Sequence, residues 1–128
     1  MHIISLEVGD GSGDGHSMTQ VVVIESNLSH KNLQEAYEKG SKIIGFDLKK
    51  KVACEYEDRV ISEEYLEILA SHNIQVKWQD EYDEKERELW SNTWVYLWLD
   101  IAKLGNPSLE YKEMTDTLTV GGYGLFFP

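Results

Sequence analysis

Cysteine, proline, basic side chains and long apolar runs are all scarce in this sequence. The chain has one cysteine, Cys54, and therefore offers no intrachain disulfide bond. A lone thiol without a neighbouring base motif is usually a small core residue. No apolar stretch approaches the roughly 20 residues that a membrane span needs, and the first residues lack the basic and apolar order of a signal peptide. These absences predict a cytoplasmic protein that makes no membrane contact.

The shortage of bases leaves the chain strongly acidic. Its 23 acidic residues outnumber 12 basic ones, which gives a formal net charge of −11. The excess is concentrated in residues 55–88, where twelve acids stand beside four bases. A surface of this sign repels the phosphates of nucleic acids and anionic lipids, and it attracts basic proteins or cations. The charge argues against nucleic-acid binding and favours a basic protein partner, although acidity also serves solubility alone.

The pattern of apolar residues predicts the architecture. A length of 128 residues suits one domain, residues 1–128, with a single core. Residues 2–8 and 18–26 are short, β-branched and bounded by turn formers, as strands are, and they flank a glycine-rich loop like the arms of a hairpin. Apolar spacing of three and four residues predicts helices at about 29–44, 62–72 and 84–104.

The sequence therefore predicts an α+β fold, in which an antiparallel sheet starting with an N-terminal β-hairpin packs against about three helices. Less regular patterns predict one strand or two short strands within 46–56, and further short strands at 74–78 and 117–120. Gly40 is expected to let the first helix approach the sheet closely. The tryptophans that share one stripe of the third predicted helix, and are expected in the core, are Trp90, Trp94 and Trp98.

The loop GDGSGDGH, residues 9–16, raises the question of a ligand. A phosphate cradle is disfavoured, because a predicted strand rather than a helix follows the loop. Asp10, Ser12 and Asp14 repeat the opening spacing of a calcium-binding EF-hand loop, but Val21 stands where its bidentate glutamate belongs. Two interpretations stay open: a weak, partly hydrated divalent cation site, with His16 as a nitrogen ligand if the ion is a transition metal instead, and a hairpin tip whose residues satisfy turn geometry. The second is favoured, because short ligand patterns often match by chance.

The same loop supports an alternative function as a small-ligand binding or sequestering protein. Gly13 and His16 would then form a pocket together with the C-terminal segment GGYG, in which Tyr123 stacks on a nucleotide-like ring. The apolar tail that follows is expected to dock on the body or on a second copy, which would make a homodimer.

Complete catalytic motifs are missing from the sequence. The four histidines are scattered and form no His-Glu-x-x-His frame, and no serine occupies a Gly-x-Ser-x-Gly elbow. A pair of carboxylates for acid and base catalysis could be drawn from CEYEDR, residues 54–59, yet paired acids are common on an acidic surface. The sequence therefore predicts a non-enzymatic protein without catalytic residues or a resident cofactor.

Acidic and aromatic residues occur together in the middle of the chain, where Trp78, Tyr82 and Trp90 bracket a run of acids. Aromatic rings supply desolvated anchors, while carboxylates attract and orient a basic partner. This combination is typical, in bulk properties alone, of small proteins that neutralise another protein: immunity proteins, antitoxins and phage-encoded inhibitors of host defence. The predicted partner-binding residues are Glu55, Glu57, Asp58, Asp80, Glu81, Tyr82 and Asp83.

Overall fold

The computed structural model describes residues 1–8, 20–48, 53–55, 58–89 and 92–114 of the chain. These residues form an α+β fold, in which an antiparallel sheet that starts with an N-terminal hairpin packs against helices, as the sequence predicted. In chain order the elements are β1 (His2–Val8), β2 (Gln20–Ser26), α1 (His30–Ile44), β3 (Ala53–Glu55), β4 (Asp58–Val60), α2 (Glu63–Ser71), α3 (Glu81–Glu86), α4 (Asn92–Gly105) and β5 (Tyr111–Glu113).

The larger sheet has the order β1-β2-β5, with β2 in the centre and antiparallel to both neighbours. Ile4 lies opposite Ile24, and both are fully buried. Because side chains alternate along a strand, Leu6 and Val22 lie on the same face and also pack into the core. Helix α4 covers this face through contacts with β1 and β2.

Strand β5 is short and was not predicted from the sequence. Asn27, just after β2, holds it in place: its side chain donates to the Ser108 carbonyl (2.8 Å) and accepts from the Glu110 backbone N–H (2.9 Å). The Asn27 backbone N–H donates to the Glu110 carbonyl (3.1 Å). These contacts cross more than 80 residues of sequence, so no local pattern could indicate them.

Helix α1 has conventional ends. Ser29 is its N-cap and accepts a hydrogen bond from the Asn32 backbone N–H at 3.2 Å. Gly45 ends the helix in the left-handed region, at φ 88°, and donates to the Ser41 carbonyl (2.9 Å). The buried positions recur every three or four residues, and they are Leu33, Ala36, Tyr37, Gly40 and Ile44.

Two glycines bring α1 and α4 into backbone contact. A Cβ atom on Gly40 would lie 1.9 Å from the Ile101 carbonyl oxygen, and one on Gly105 would lie 1.9 Å from the Ala36 carbonyl oxygen. The close approach of Gly40 is therefore to α4, and the prediction that it faced the sheet is wrong. Glycine is required at both positions because any side chain would push the helices apart.

Stacked rings fill the same helix interface. The rings of Tyr37 and Trp98 are nearly parallel, with centroids 4.7 Å apart. Trp98 is buried and Trp94 is partly buried against the core, in agreement with the predicted stripe. Trp90, the third member of that stripe, lies outside the described residues.

The continuous helix predicted over 84–104 is wrong, because the chain breaks between α3 and α4. Arg87 adopts the left-handed conformation (φ 58°) and ends α3. The next residue, Glu88, forms a β-bridge with Val60, and the Arg87 carbonyl accepts from the Ile61 backbone N–H at 3.0 Å. The break is thus fixed by pairing with a strand that lies far away in the sequence.

The weaker strand predictions have mixed outcomes. Within 46–56 the described strand is only β3, while Phe46 and Leu48 are buried without belonging to a strand. Residues 74–78 run without regular structure, so the strand predicted there is wrong, and 117–120 lies outside the described residues.

None of the described helices combines the length and the apolar character that crossing a bilayer demands.

Candidate functional site

In the acidic segment of residues 55–88, the structure describes the side chains of residues 60–88. These residues include nine acids and three bases. Seven of these acids are exposed, three on α2 and four at or within α3. We call this set the acidic face. Its members are Glu63, Glu64, Glu67, Asp80, Glu81, Glu84 and Glu86.

The fold brings the two helices of the acidic face together at one junction. Arg87, which follows α3, contacts Glu63 in the first turn of α2, with 3.4 Å between Nη1 and Oε1. The Ile61 to Arg87 hydrogen bond and the bridge between Val60 and Glu88 hold the same two segments side by side. The start of α2 and the end of α3 therefore lie next to each other, although about 20 residues of sequence separate them.

Asp80 shapes the far end of the acidic face. It is the N-cap of α3, and its Oδ1 accepts a hydrogen bond from the Asp83 backbone N–H at 2.8 Å. Acids in the first turn of a helix are favoured by the exposed backbone N–H groups and the helix dipole. Helix α3 spans only six residues, or about 9 Å, so Asp80 and Glu81 stay near the junction at its other end.

Tyr82 is an exposed ring within this acidic surface. It is 62% exposed, whereas the indole of Trp98 is buried and those of Trp78 and Trp94 are partly buried against the core. Of the predicted partner-binding residues, the structure thus places Asp80, Glu81 and Tyr82 together on the surface.

Asp83 behaves differently, because its side chain lies inside the protein. The residue is 4% exposed, and its buried Oδ2 accepts no hydrogen bond from any residue that the structure describes. Burial, together with the charges of Asp80 and Glu88, raises the pKa of the Asp83 carboxyl. Asp83 was predicted to belong to the docking surface, but its side chain is buried on the inner side of α3 and is therefore not part of that surface.

The other predicted partner-binding residues are Glu55, Glu57 and Asp58. Glu55 and Asp58 lie opposite each other where β3 and β4 pair. Glu57 lies outside the described residues. Strand β4 leads directly into the junction through Val60, so Asp58 is close to the junction along the chain.

The residues predicted for ligand and metal binding all lie outside the described residues. They are Asp10, Ser12, Gly13, Asp14, His16 and Tyr123. The cation site, the nucleotide-like pocket and the tail-mediated dimer therefore stay predictions. Across the residues that the structure does describe, no group of three potential ligating side chains could hold a metal ion.

Six residues of this region were not among the predicted site residues: Glu63, Glu64, Glu67, Glu84, Glu86 and Arg87. The density of charge in this stretch was visible in the sequence, but the contact between Arg87 and Glu63 depends on the tertiary fold. Comparison of the chain with protein-family models, with curated proteins and with solved structures found no match.

Proposed function

We propose that this protein is a binding protein that neutralises a basic protein partner, in the manner of an immunity protein, an antitoxin or a phage-encoded inhibitor of host defence. The acidic face is the docking surface in this proposal, and the encounter takes place in the cytoplasm. The observation that carries the proposal is the junction of α2 and α3, where the contact between Glu63 and Arg87 joins two helices that each carry exposed acids.

Electrostatics support a protein partner of opposite charge. Carboxylates that share one surface add their fields, which speeds the encounter with a basic partner and disfavours nucleic acids and anionic lipids. Two cations of this region offset only part of the field: Lys85 is exposed on α3, and Arg87 is partly exposed and engaged with Glu63, but the seven exposed acids outnumber them. The acidic face is therefore suited to steering a basic protein into contact.

An aromatic anchor within the charged surface supports a specific complex. Binding free energy is usually concentrated in a few residues, and tyrosine is enriched among them because its ring buries a large area at small entropic cost. Tyr82 is exposed in the first turn of α3, next to Glu81 and close to Asp80. In the proposed complex its ring packs against the partner, while the acids around it pair with basic side chains.

The test measures binding to a panel of purified basic toxins and nucleases by biolayer interferometry, at low and at moderate salt. The test variant is the double substitution E81Q/E84Q, which neutralises two acids of the acidic face. The matched control is E35Q/E38Q, which removes the same charge from exposed positions of α1. We expect the first pair to slow association with the partner about tenfold and the second pair to change it little, because local charges dominate steering.

Two results would contradict the proposal. The first is that no basic protein of the panel binds at low salt. The second is that the two double variants weaken binding equally, because net charge and not the acidic face would then govern association. Y82A separates anchoring from steering, since it should raise the dissociation rate and leave the association rate nearly unchanged.

A further inference from the structure

A groove lies on the side of α4 that faces the segment after α2, and no function has yet been assigned to it. Its volume is about 570 Å³, within the range of sites that bind small molecules. Buried Ile74 and half-buried Leu104 give it an apolar floor. His72, Lys77, Asp100 and Lys103 line it with ionisable groups.

Local structure fixes both walls of the groove. Helix α2 ends at Ser71, and Asn73, two residues later, has a left-handed backbone (φ 63°). The Ile74 backbone N–H returns to the Leu69 carbonyl at 2.9 Å. The chain then runs along α4, where the Thr93 hydroxyl donates to the Lys77 carbonyl at 2.9 Å. The groove is therefore built from anchored backbone.

Asp100 is the unusual group in this groove. Its side chain is half-buried, yet it makes no hydrogen bond and no ion pair within 4.0 Å in the part of the chain that the structure describes. Burial raises the pKa of the Asp100 carboxyl, and the nearby charges of Lys77 and Lys103 oppose that rise. A partly desolvated carboxylate that accepts no hydrogen bonds costs free energy. A ligand that donates hydrogen bonds to Asp100 would therefore be stabilised in the groove.

Both lysines near Asp100 are held by other groups. The Lys103 ammonium donates to the Leu109 carbonyl at 3.0 Å, and the Lys77 ammonium lies 5.6 Å from the centroid of the Tyr96 ring. Each ammonium has three N–H donors, so capacity remains for an anionic group of a ligand. The groove thus presents one acceptor site next to two cationic donor sites above an apolar floor.

This arrangement selects among the charge types of small molecules. A simple amine would satisfy Asp100 but would be repelled by Lys77 and Lys103. A simple acid would meet repulsion from Asp100 and from the net charge of −11 on the whole chain. A zwitterion carries no net charge, satisfies both kinds of group and can lay a hydrocarbon chain on the apolar floor.

We propose that this groove binds a free α-amino acid with an apolar side chain, with its ammonium on Asp100 and its carboxylate directed to Lys77 and Lys103. Ile74 and Leu104 would contact the apolar side chain. The proposal does not depend on the acidic face, and it can fail or hold independently of the protein partner.

The test is a titration of isotope-labelled protein with L-leucine, followed by amide chemical shifts. We expect saturable shifts confined to residues 70–77 and 100–107, with a dissociation constant at or below the millimolar range. The controls are 3-methylbutylamine and 4-methylpentanoic acid, which each lack one charge of leucine and should bind at least about tenfold more weakly. The proposal is overturned if leucine gives no saturable shifts up to about 20 mM, which covers millimolar constants, or if either control binds as well as leucine.

Substitutions in the groove test whether leucine binds there. D100N and K77M should each weaken leucine binding about tenfold, because each removes one charge-assisted hydrogen bond. E110Q and K39M remove the same charges from exposed positions elsewhere and should change the affinity less than about twofold. Thermal unfolding of all four variants confirms that they are folded, and equal binding by all of them would overturn the assignment of the groove.

Discussion

Gly40 and Ile101 are in backbone contact: a Cβ on Gly40 would lie 1.9 Å from the Ile101 carbonyl oxygen. Glycine inside a helix ordinarily costs about 1 kcal/mol relative to alanine, so Gly40→Ala in an isolated helix would be stabilising. Here we expect the opposite sign, because the obstacle is main chain and cannot rotate away. The variant should lower the free energy of unfolding by about 1–3 kcal/mol, as overpacking does, measured by urea denaturation. Lys39→Ala, at the exposed neighbouring position, is the control, and a Gly40→Ala protein as stable as this control would contradict the close contact.

Tyr37 connects α1 to the chain that follows it. Its hydroxyl donates to Asp47 Oδ1 at 2.8 Å and accepts from the Leu48 backbone N–H at 3.1 Å. Burial, reinforced by the hydrogen bond to Asp47, raises the pKa of this hydroxyl above its ordinary value. Tyr37→Phe leaves the buried Leu48 N–H without this acceptor and should lower the free energy of unfolding by about 1–3 kcal/mol.

The control for Tyr37→Phe is Tyr65→Phe. The Tyr65 ring packs against Phe46 with centroids 4.6 Å apart, and no residue that the structure describes hydrogen-bonds its hydroxyl. Removing that hydroxyl should change stability by less than about 0.5 kcal/mol. Equal losses in the two variants would show that the Tyr37 hydroxyl has no special role.

Asp80 caps α3 and also carries one charge of the acidic face, and two substitutions separate these roles. Asp80→Ala removes the N-cap of α3 and should cost about 1 kcal/mol of stability, whereas Asp80→Asn keeps a capping oxygen and should cost only a few tenths. Both variants lose one charge of the acidic face. Urea denaturation measures the first effect, and association rates with a basic partner measure the second, so a stability loss equal in both variants would contradict the capping role.

The buried carboxyl of Asp83 should make stability depend on pH. Its pKa is about 3.8 in an unfolded chain and is raised in the folded protein by burial and by the charges of Asp80 and Glu88. The folded state binds this proton more tightly than the unfolded state does. The contribution of Asp83 to stability is therefore full below pH 3.8, the ordinary pKa, and it is lost as the pH rises through the pKa of the folded protein.

Asp83→Asn removes this titration. The stability of the variant relative to the natural chain should rise with pH through the interval above 3.8 and then level off. Urea denaturation at a series of pH values gives this difference directly. A difference that does not vary with pH would mean that Asp83 titrates alike in the folded and unfolded chains.

The elements that the sequence predicted well are those specified by neighbours in the chain. Short β-branched runs between turn formers predicted the hairpin of β1 and β2, and apolar spacing predicted α1, whose ends Ser29 and Gly45 cap. The wrong continuous helix over 84–104 and the missed strand β5 share one cause, which is pairing between residues far apart in sequence. The bridge of Glu88 to Val60 interrupts an otherwise helical apolar pattern, and β5 exists because Asn27 holds the chain against β2.

The candidate sites also combine features that the local sequence shows with features that depend on the tertiary fold. The accumulation of acids on residues 55–88 can be counted in the sequence, and Tyr82 stands out as an aromatic residue among them. The burial of Asp83 could not be read from so short a helix, because α3 has too few residues to show an apolar period. The groove beside Asp100 was also hidden. Lys103 lies one helical turn from Asp100 on α4, but Lys77 comes near only because the chain after α2 runs along α4.

The pair of glycines between α1 and α4 limits how this molecule can respond to whatever it binds. Gly40 and Gly105 each abut the main chain of the opposite helix, so sliding one helix by a single residue would drive a side chain into that main chain. The two helices therefore form a block of fixed register. Adjustment on binding should fall to segments outside this block rather than to a shear between the helices.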